Sequence, residues 1–230
     1  MKKINFICRA ENISEEFQPI PASKLLPDWY KNTETYKDGD KRPYLDAHQT
    51  RSTIKKCIPV FDSMSAGYFL LLPWDLYIEH DGIEYSFSFA HDASSIKFHP
   101  NFQANLHPDN KPDTFSFPKF SNPWAIKTPP GYSCMIVPPM HRENIMQIFP
   151  GIVDTDKYDA NVNLPFFITK NEYTGIIKAG TPIAQVIPFK RESWSKTLTN
   201  SLKTAEAAKL VRSVFFEGYK NFMWSKKTYR

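Results

Sequence analysis

Apolar and polar positions alternate most cleanly over residues 75–89. On the far arm Ile83, Tyr85, Phe87 and Phe89 alternate with Glu84, Ser86 and Ser88; on the near arm Leu76, Ile78 and His80 share a face. Period-two alternation is the mark of a half-buried strand. Asp81-Gly82 between the arms predicts a two-residue type I′ hairpin turn, because both central residues of that turn need positive φ. This register sets His80 against Ile83, Ile78 against Tyr85 and Leu76 against Phe87. It also sets Glu79 against Glu84, a like-charge pair that is mildly unfavourable. Further strands are expected at Tyr68–Leu72, Ser95–Phe98, Tyr132–Val137, Val162–Ile168 and Ile183–Phe189. Pro165 and Pro188 place their strands at an edge or a bulge, since proline cannot donate to a ladder. Residues 17–32 read as a Pro-bracketed extended segment with a helical turn or two, 33–50 as a charged surface loop and 100–131 as a long connection.

From Trp194 the period changes. Leu198, Leu202, Ala205, Ala208, Val211, Phe215, Tyr219 and Phe222 step by three or four, which predicts an amphipathic C-terminal helix. The whole is expected to be mainly β. One domain, 1–230, would hold an extended segment over 1–60, a β core over 61–192 and a C-terminal helix with a basic aromatic tail over 193–230.

Composition agrees with many short strands: 19 prolines stand against 8 glycines in 230 residues, with 15% aromatics. Net charge is +5, from 29 basic and 24 acidic residues, which does not by itself imply nucleic acid. Cys8, Cys57 and Cys134 are odd in number, widely spaced and without a Cys-x-x-Cys, as expected of reduced thiols in a cytoplasmic protein. The opening apolar run is broken by Asn5 and ended by Arg9, too short for a secretory signal. No stretch reaches the roughly 20 apolar residues of a membrane span. No membrane partner is expected.

Chemistry concentrates in two motifs. Gly151-Ile-Val-Asp154-Thr-Asp156-Lys-Tyr158 puts two carboxylates and an aromatic on a turn that leaves an apolar run, and Gly180-Thr-Pro-Ile-Ala-Gln185-Val-Ile places one amide inside a buried strand. The pair resembles two adjacent motifs of the dUTPase and dCTP deaminase superfamily, with Thr128-Pro-Pro-Gly131-Tyr similar to the turn before them. The resemblance covers about residues 126–190. It implies a β-clip-like, dUTPase-like core with an elaborated N-terminal half, and sites shared between the subunits of a homo-trimer. It further implies that Asp154 holds an attacking water, that Tyr158 stacks on a deoxyribose and that Gln185 lies near phosphates, with Mg²⁺ arriving on the nucleotide if one is hydrolysed. A second resemblance, through Trp124, Lys127-Thr-Pro-Pro-Gly-Tyr and the long Gly180 motif, is to a family of phage and bacterial proteins whose function is open. If the chain is phage-encoded, its place is the host cytoplasm.

The chain departs from the dUTPase pattern where Lys157 pushes Tyr158 one residue late, where the Arg-Ser-Ser phosphate motif is missing and where the glycine-rich closing arm is replaced. Asp154 and Asp156 also serve a bare turn, because Asp bonds its own backbone, and Gln185 equally suits a satisfied core amide. Arg142, in His141-Arg-Glu-Asn144, and Lys190, in Lys190-Arg-Glu192, supply cations for an anionic ligand or sit on solvated turns. His80, His91, His99, His107 and His141, with Asp92, Asp109 and Asp113, show no metal-ligand spacing. The basic aromatic tail is expected to pack rather than to bind nucleic acid.

Two functions follow. In the first, a site of Asp154 and Asp156 as catalytic carboxylates, with Tyr158, Gln185, Arg142 and Lys190 as ligand contacts, binds and hydrolyses a nucleotide-like anionic small molecule. In the second, a non-enzymatic phage accessory or virion protein shares only the core geometry.

Overall fold

The alternating stretches and the shorter apolar runs form strands. In chain order the strands are β1 (Asn5–Cys8), β2 (Ile20–Pro21), β3 (Tyr68–Leu71), β4 (Leu76–His80), β5 (Tyr85–Phe89), β6 (Ile96–Pro100) and β7 (Ser116–Lys127), then β8 (Tyr132–Val137), β9 (Met146–Ile148), β10 (Gly151–Val153), β11 (Asn161–Ile168), β12 (Tyr173–Ile177) and β13 (Pro182–Lys190). Two short helices, α1 (Asp28–Asn32) and α2 (Ile58–Ser65), precede β3. The computed structural model describes residues 2–10, 13–39, 51–89, 95–104, 107–108, 116–199 and 219–230. Mainly β is the fold class of these residues. No helix among them is long and apolar enough to cross a membrane.

The chain divides into two compact units. The first, Met1–Ala22 with Gly67–Arg191, holds every strand of the described residues, in three antiparallel sheets. One sheet runs β1-β7-β11-β9 with β6 also on β7; the second runs β10-β8-β13-β3-β2; the third runs β12-β4-β5. Their inner faces share one core, to which Phe120, Leu164 and Phe166 come from the first sheet, Leu70, Ile136 and Val186 from the second, and Leu76 and Ile78 from the third. Phe69, Phe120 and Phe166 are among the largest fully buried side chains. Each such side chain contributes roughly 1.5–3 kcal/mol by leaving water.

The hairpin forms with its apolar faces as expected and its register shifted by two. His80 pairs with Tyr85, Ile78 with Phe87 and Leu76 with Phe89, so four residues, 81–84, make the loop. The cause is local: Asp81 Oδ1 accepts from the N–H of Ile83 (2.9 Å) and of Glu84 (2.8 Å), and Gly82 takes φ +99°. An Asx-type cap of this kind outcompetes the tighter turn. A shift of two keeps every side chain on its face. It places Glu79 against Ser86, which removes the like-charge pair, and leaves Ile83 exposed in the loop. Replacing Gly82 by Val is expected to cost about 1–3 kcal/mol, because a β-branched residue resists positive φ. Gly82→Asn costs less, and chemical denaturation of both variants checks the difference.

The long connection expected over 100–131 is corrected: Ser116–Lys127 is the longest strand and pairs with β1, β6 and β11. Pro118 and Pro123 hide it from a propensity reading. Pro123 is tolerated beside a bulge, where the β7–β11 register shifts between Asn161 and Asn163. There the buried Asn122 closes on its own strand, donating to Trp124 O (2.7 Å) and accepting from Trp124 N (3.3 Å).

The second unit is Ser23–Ala66 with Glu192–Arg230. It contains α1, α2 and the tail. Tyr30 is buried and packs near Phe61 at a ring separation of 6.2 Å. The helix expected from Trp194 onward is corrected at both described ends. Residues 193–199 carry no regular structure, and Tyr219–Met223 is a single π turn. Ser193, Ser195, Thr197 and Thr199 compete with helix for their own backbone groups, and Trp194 and Leu198 are left exposed. Leu202, Ala205, Ala208, Val211 and Phe215 lie outside the described residues.

Candidate functional site

The two acids of the first motif converge on a residue from the end of the second. β10 carries the chain up the edge of its sheet along β8, with Val153 opposite Cys134. It then turns through Asp154, whose carbonyl accepts from Lys157 N (2.9 Å) and Tyr158 N (2.8 Å). On the other side of β8 runs β13, with Lys190 opposite Tyr132. The next residue, Arg191, donates its backbone N–H to Gly131 O (2.9 Å) and so continues the ladder.

Arg191 reaches across β8 and gathers the site. Its Nη1 shares two N–H groups among four acceptors within hydrogen-bond distance, Asp156 Oδ1 (2.8 Å), Ser133 Oγ (2.9 Å), Tyr132 O (3.1 Å) and Asp154 Oδ1 (3.2 Å), and its Nη2 donates to Asp156 Oδ2. Asp156 is therefore held by both prongs of the guanidinium, the strong geometry for an arginine–carboxylate pair. Gly131 N donates to the same Asp156 Oδ2 at 2.9 Å. With its side chain only 6% exposed, Asp156 is a buried anchor with both oxygens committed. The Arg191 bonds, then Gly131 N, hold its carboxyl well below the ordinary carboxylate range.

Asp154 is placed differently. Its side chain is 56% exposed. Oδ1 accepts from Ser133 Oγ (2.6 Å) and from Arg191, while Oδ2 has no hydrogen-bond partner among the described residues. The Ser133 bond, then the charge of Arg191, lowers its pKa as well. Beneath the turn Thr155 is buried, bonded to Thr128 Oγ1 (2.7 Å) and donating to Cys134 Sγ (3.4 Å). Burial pushes the Cys134 thiol up to about 11, so it is an inert core group. Tyr158, one helical turn past Asp154, is 42% exposed and donates its hydroxyl to Asn161 O at 3.4 Å. Ile152 on β10 is 66% exposed.

The remaining candidates lie elsewhere. Gln185 shares the sheet but pairs with Val137, four residues along β8 from Ser133, or about 13 Å at the rise of a strand. It is fully buried, and its Oε1 accepts from Met140 N (3.0 Å) in the loop after β8. Arg142, in that same loop, stands over the Phe69 ring at 5.2 Å. Lys190 is exposed. Arg191 carries the cluster although Lys190 was the expected contact, because successive strand residues point to opposite faces. The signal was available: two acids on one turn need a cation, and continuing the β8–β13 register sets Arg191 against Gly131.

His80, His99, His107 and His141 are dispersed, and His91 lies outside the described residues. His80 bonds Glu84 O through Nδ1 (2.9 Å) and stacks on Tyr85; His107 stacks on Phe149 and His99 on Phe117. Among the described residues no group of three or more His, Cys, Asp or Glu side chains is placed to hold a metal ion. With Asp156 saturated, the donors around Asp154 do not fit a Mg²⁺ held by the protein alone.

No protein-family model matches the chain, and no curated protein matches it. Among solved structures it is similar to the native dUTPase of EIAV, at 15% identity over 60% of this chain and 85% of that one, with a TM-score of 0.33. It is also similar to a point mutant of the dUTPase of phage phi11 of S. aureus, described with a structural Mg(II) ion, at 11% identity over the same shares and a TM-score of 0.32. The likeness is partial, and the site is read from its own geometry.

Proposed function

We propose that the first unit binds a hydroxyl-bearing, nucleoside- or nucleotide-like small molecule at Asp154. One observation carries this reading: Asp154 has one carboxylate oxygen fixed by Ser133 and Arg191 and the other open to solvent. Such a carboxylate is an oriented acceptor that is ionised at any physiological pH. Tyr158 and Ile152, four residues after Asp154 and two before it, are exposed and offer apolar surface for a base or sugar face. In this scheme Arg191 and Asp156 are positioning residues. Their clasp fixes the turn, so Asp154 is presented without being free to rotate away.

The lowered pKa bears on turnover. A carboxylate whose pKa lies below its ordinary value is a weaker general base than an unperturbed one, since proton transfer is best served by a pKa near the working pH. Asp154 therefore suits orienting a water or a sugar hydroxyl more than removing a proton. Hydrolysis, if the chain performs it, would rest on that positioning.

A second reading is favoured by the closure of the cluster. Arg191 spends its charge on the two acids, which leaves the cluster net negative and its one guanidinium committed, where a nucleotide hydrolase needs a cation for phosphate. On that reading the clasp only locks β10, β8 and β13 together in a non-enzymatic accessory protein. A thermal-shift screen of nucleosides and nucleotides, with and without Mg²⁺, separates the two. A ligand at 100 times its Kd adds about 2.7 kcal/mol of stability. Binding predicts a rise in Tm with at least one member of the set, and a flat response across all of them supports the accessory reading.

A further inference from the structure

Charge is divided unequally between the two units. Ser23–Ala66 with Glu192–Arg230 carries sixteen basic and nine acidic residues, a net +7, while the strand-bearing unit carries thirteen and fifteen, a net −2. The modest +5 of the whole chain conceals this. Asymmetry of this kind is the electrostatic footprint of a polyanion partner.

The basic excess is concentrated in two segments that meet. Residues 51–59 contain Arg51, Lys55 and Lys56 and no acid; residues 219–230 contain Lys220, Lys226, Lys227 and Arg230, again with no acid, interleaved with Tyr219, Phe222, Trp224 and Tyr229. Asp62 on α2 docks the tail, accepting from Trp224 Nε1 (2.9 Å) and Lys227 Nζ (2.6 Å). Tyr229 is half-buried, while Phe222 is 74% exposed and Tyr219 41%. Where the segments meet, Lys55, Lys56, Cys57, Ile58, Pro59, Tyr219 and Lys220 line a cavity of about 380 Å³, and Lys55 Nζ donates to the carbonyls of Lys31 (2.7 Å) and Thr33 (2.9 Å). Lys56 stands 5.6 Å from the ring of Tyr36 at its side.

We propose that this face of the second unit binds single-stranded nucleic acid. Exposed cations along the tail, Lys220, Lys226, Lys227 and Arg230, suit a phosphate backbone, and the exposed rings of Tyr219 and Phe222 offer every base a stacking surface whatever its sequence. The concave element argues against the rival polyanion, an anionic membrane. A pocket that sets Lys56 and Lys220 beside Ile58, Pro59 and Tyr219 admits an unstacked base with its phosphate at the rim, whereas a bilayer surface meets a protrusion of apolar side chains. A duplex would leave the rings without partners, because its bases are already stacked.

The test is fluorescence anisotropy of the full chain with a labelled oligothymidylate of about 20 nucleotides, a site of a few such stacking platforms. Binding is expected, weakening between about 50 and 200 mM salt with a log–log slope of about −0.7 per phosphate neutralised. Phe222→Ala should weaken it roughly tenfold or more, as loss of a base–aromatic stack does, and Phe222→Trp should restore it. Lys220→Ala should lower the salt slope by about 0.7. Phe222 and Lys220 are both exposed, so an unchanged Tm in these variants shows that folding is not the cause. The proposal is overturned by no binding at low salt, by duplex binding as tight as single-strand binding with Phe222→Ala silent, or by capture on anionic phosphatidylserine vesicles without oligonucleotide binding.

Discussion

Gly67→Ala is expected to lower the Tm of the first unit by at least about 6 °C. Gly67 enters β3 at φ +68°, and a Cβ built there would lie 1.9 Å from Val186 O and 2.8 Å from Val186 C. Those atoms belong to the backbone of β13, the strand that continues into Arg191. Relief would require β3 and β13 to part, at the point where Ala22 N also bonds Gly67 O (3.0 Å). Positive φ in a non-glycine residue costs about 1–3 kcal/mol before any clash, so the total should exceed about 3 kcal/mol. Each kcal/mol shifts Tm by roughly 2–4 °C in a domain of this size. Gly39→Ala is the control: its φ is +66° with nothing within 4 Å, so only the conformational cost applies. Equal losses in the two variants would show that the close approach to Val186 is not what demands glycine at 67.

The second large effect is expected at Arg191. Arg191→Met keeps much of the side-chain length and removes every bond to Asp154, Asp156 and Ser133, leaving Asp156 buried without its counter-charge. Breaking such a pair by deleting one partner is far more damaging than never having it. Arg191→Lys should recover only part of the loss, because an ammonium cannot present the two-pronged geometry. The pH dependence identifies the cause. Asp154 and Asp156 both have folded-state pKa values below the ordinary carboxylate value of 3.8. Their contribution is therefore full above about pH 4 and falls as pH drops through the folded values. The gap in Tm between wild type and Arg191→Met should be constant from about pH 5 to 8 and shrink below about pH 4. A gap that does not change with acid would mean that packing, not the ion pair, makes Arg191 important.

How far the sequence could be read depended on how local each determinant was. The β8 and β13 strands were legible because Tyr132–Val137 and Ile183–Phe189 carry their own apolar pattern. The face of the hairpin was legible too, but its register was decided by one Asp81 carboxylate choosing two backbone donors. β7 was missed because its prolines argue against a strand, and only pairing with β1, β6 and β11 overrides them. The carboxylates at 154 and 156 stood out as a pair. Their difference did not: one is a buried anchor and the other is open, and that is set by Arg191, 35 residues beyond Asp156. Gln185 stood out for the same reason as the acids, a polar group in an apolar strand, yet its partner is the backbone of Met140.

The central claim is that Asp154 is a presented acceptor and not a turn residue alone. The direct measurement is the thermal shift of wild type and Asp154→Asn side by side, with nucleosides and with nucleotides plus Mg²⁺. Asparagine keeps an oxygen for Ser133 and Arg191 to donate to and preserves the turn, which is closed by the backbone carbonyl of residue 154 accepting from Lys157 N and Tyr158 N; it removes the open charge. The account predicts only a small loss of stability without ligand, because the Asp154–Arg191 pair is largely exposed, and a ligand-induced rise in Tm for wild type that the variant loses. The same rise in both proteins, or none in either, would contradict it.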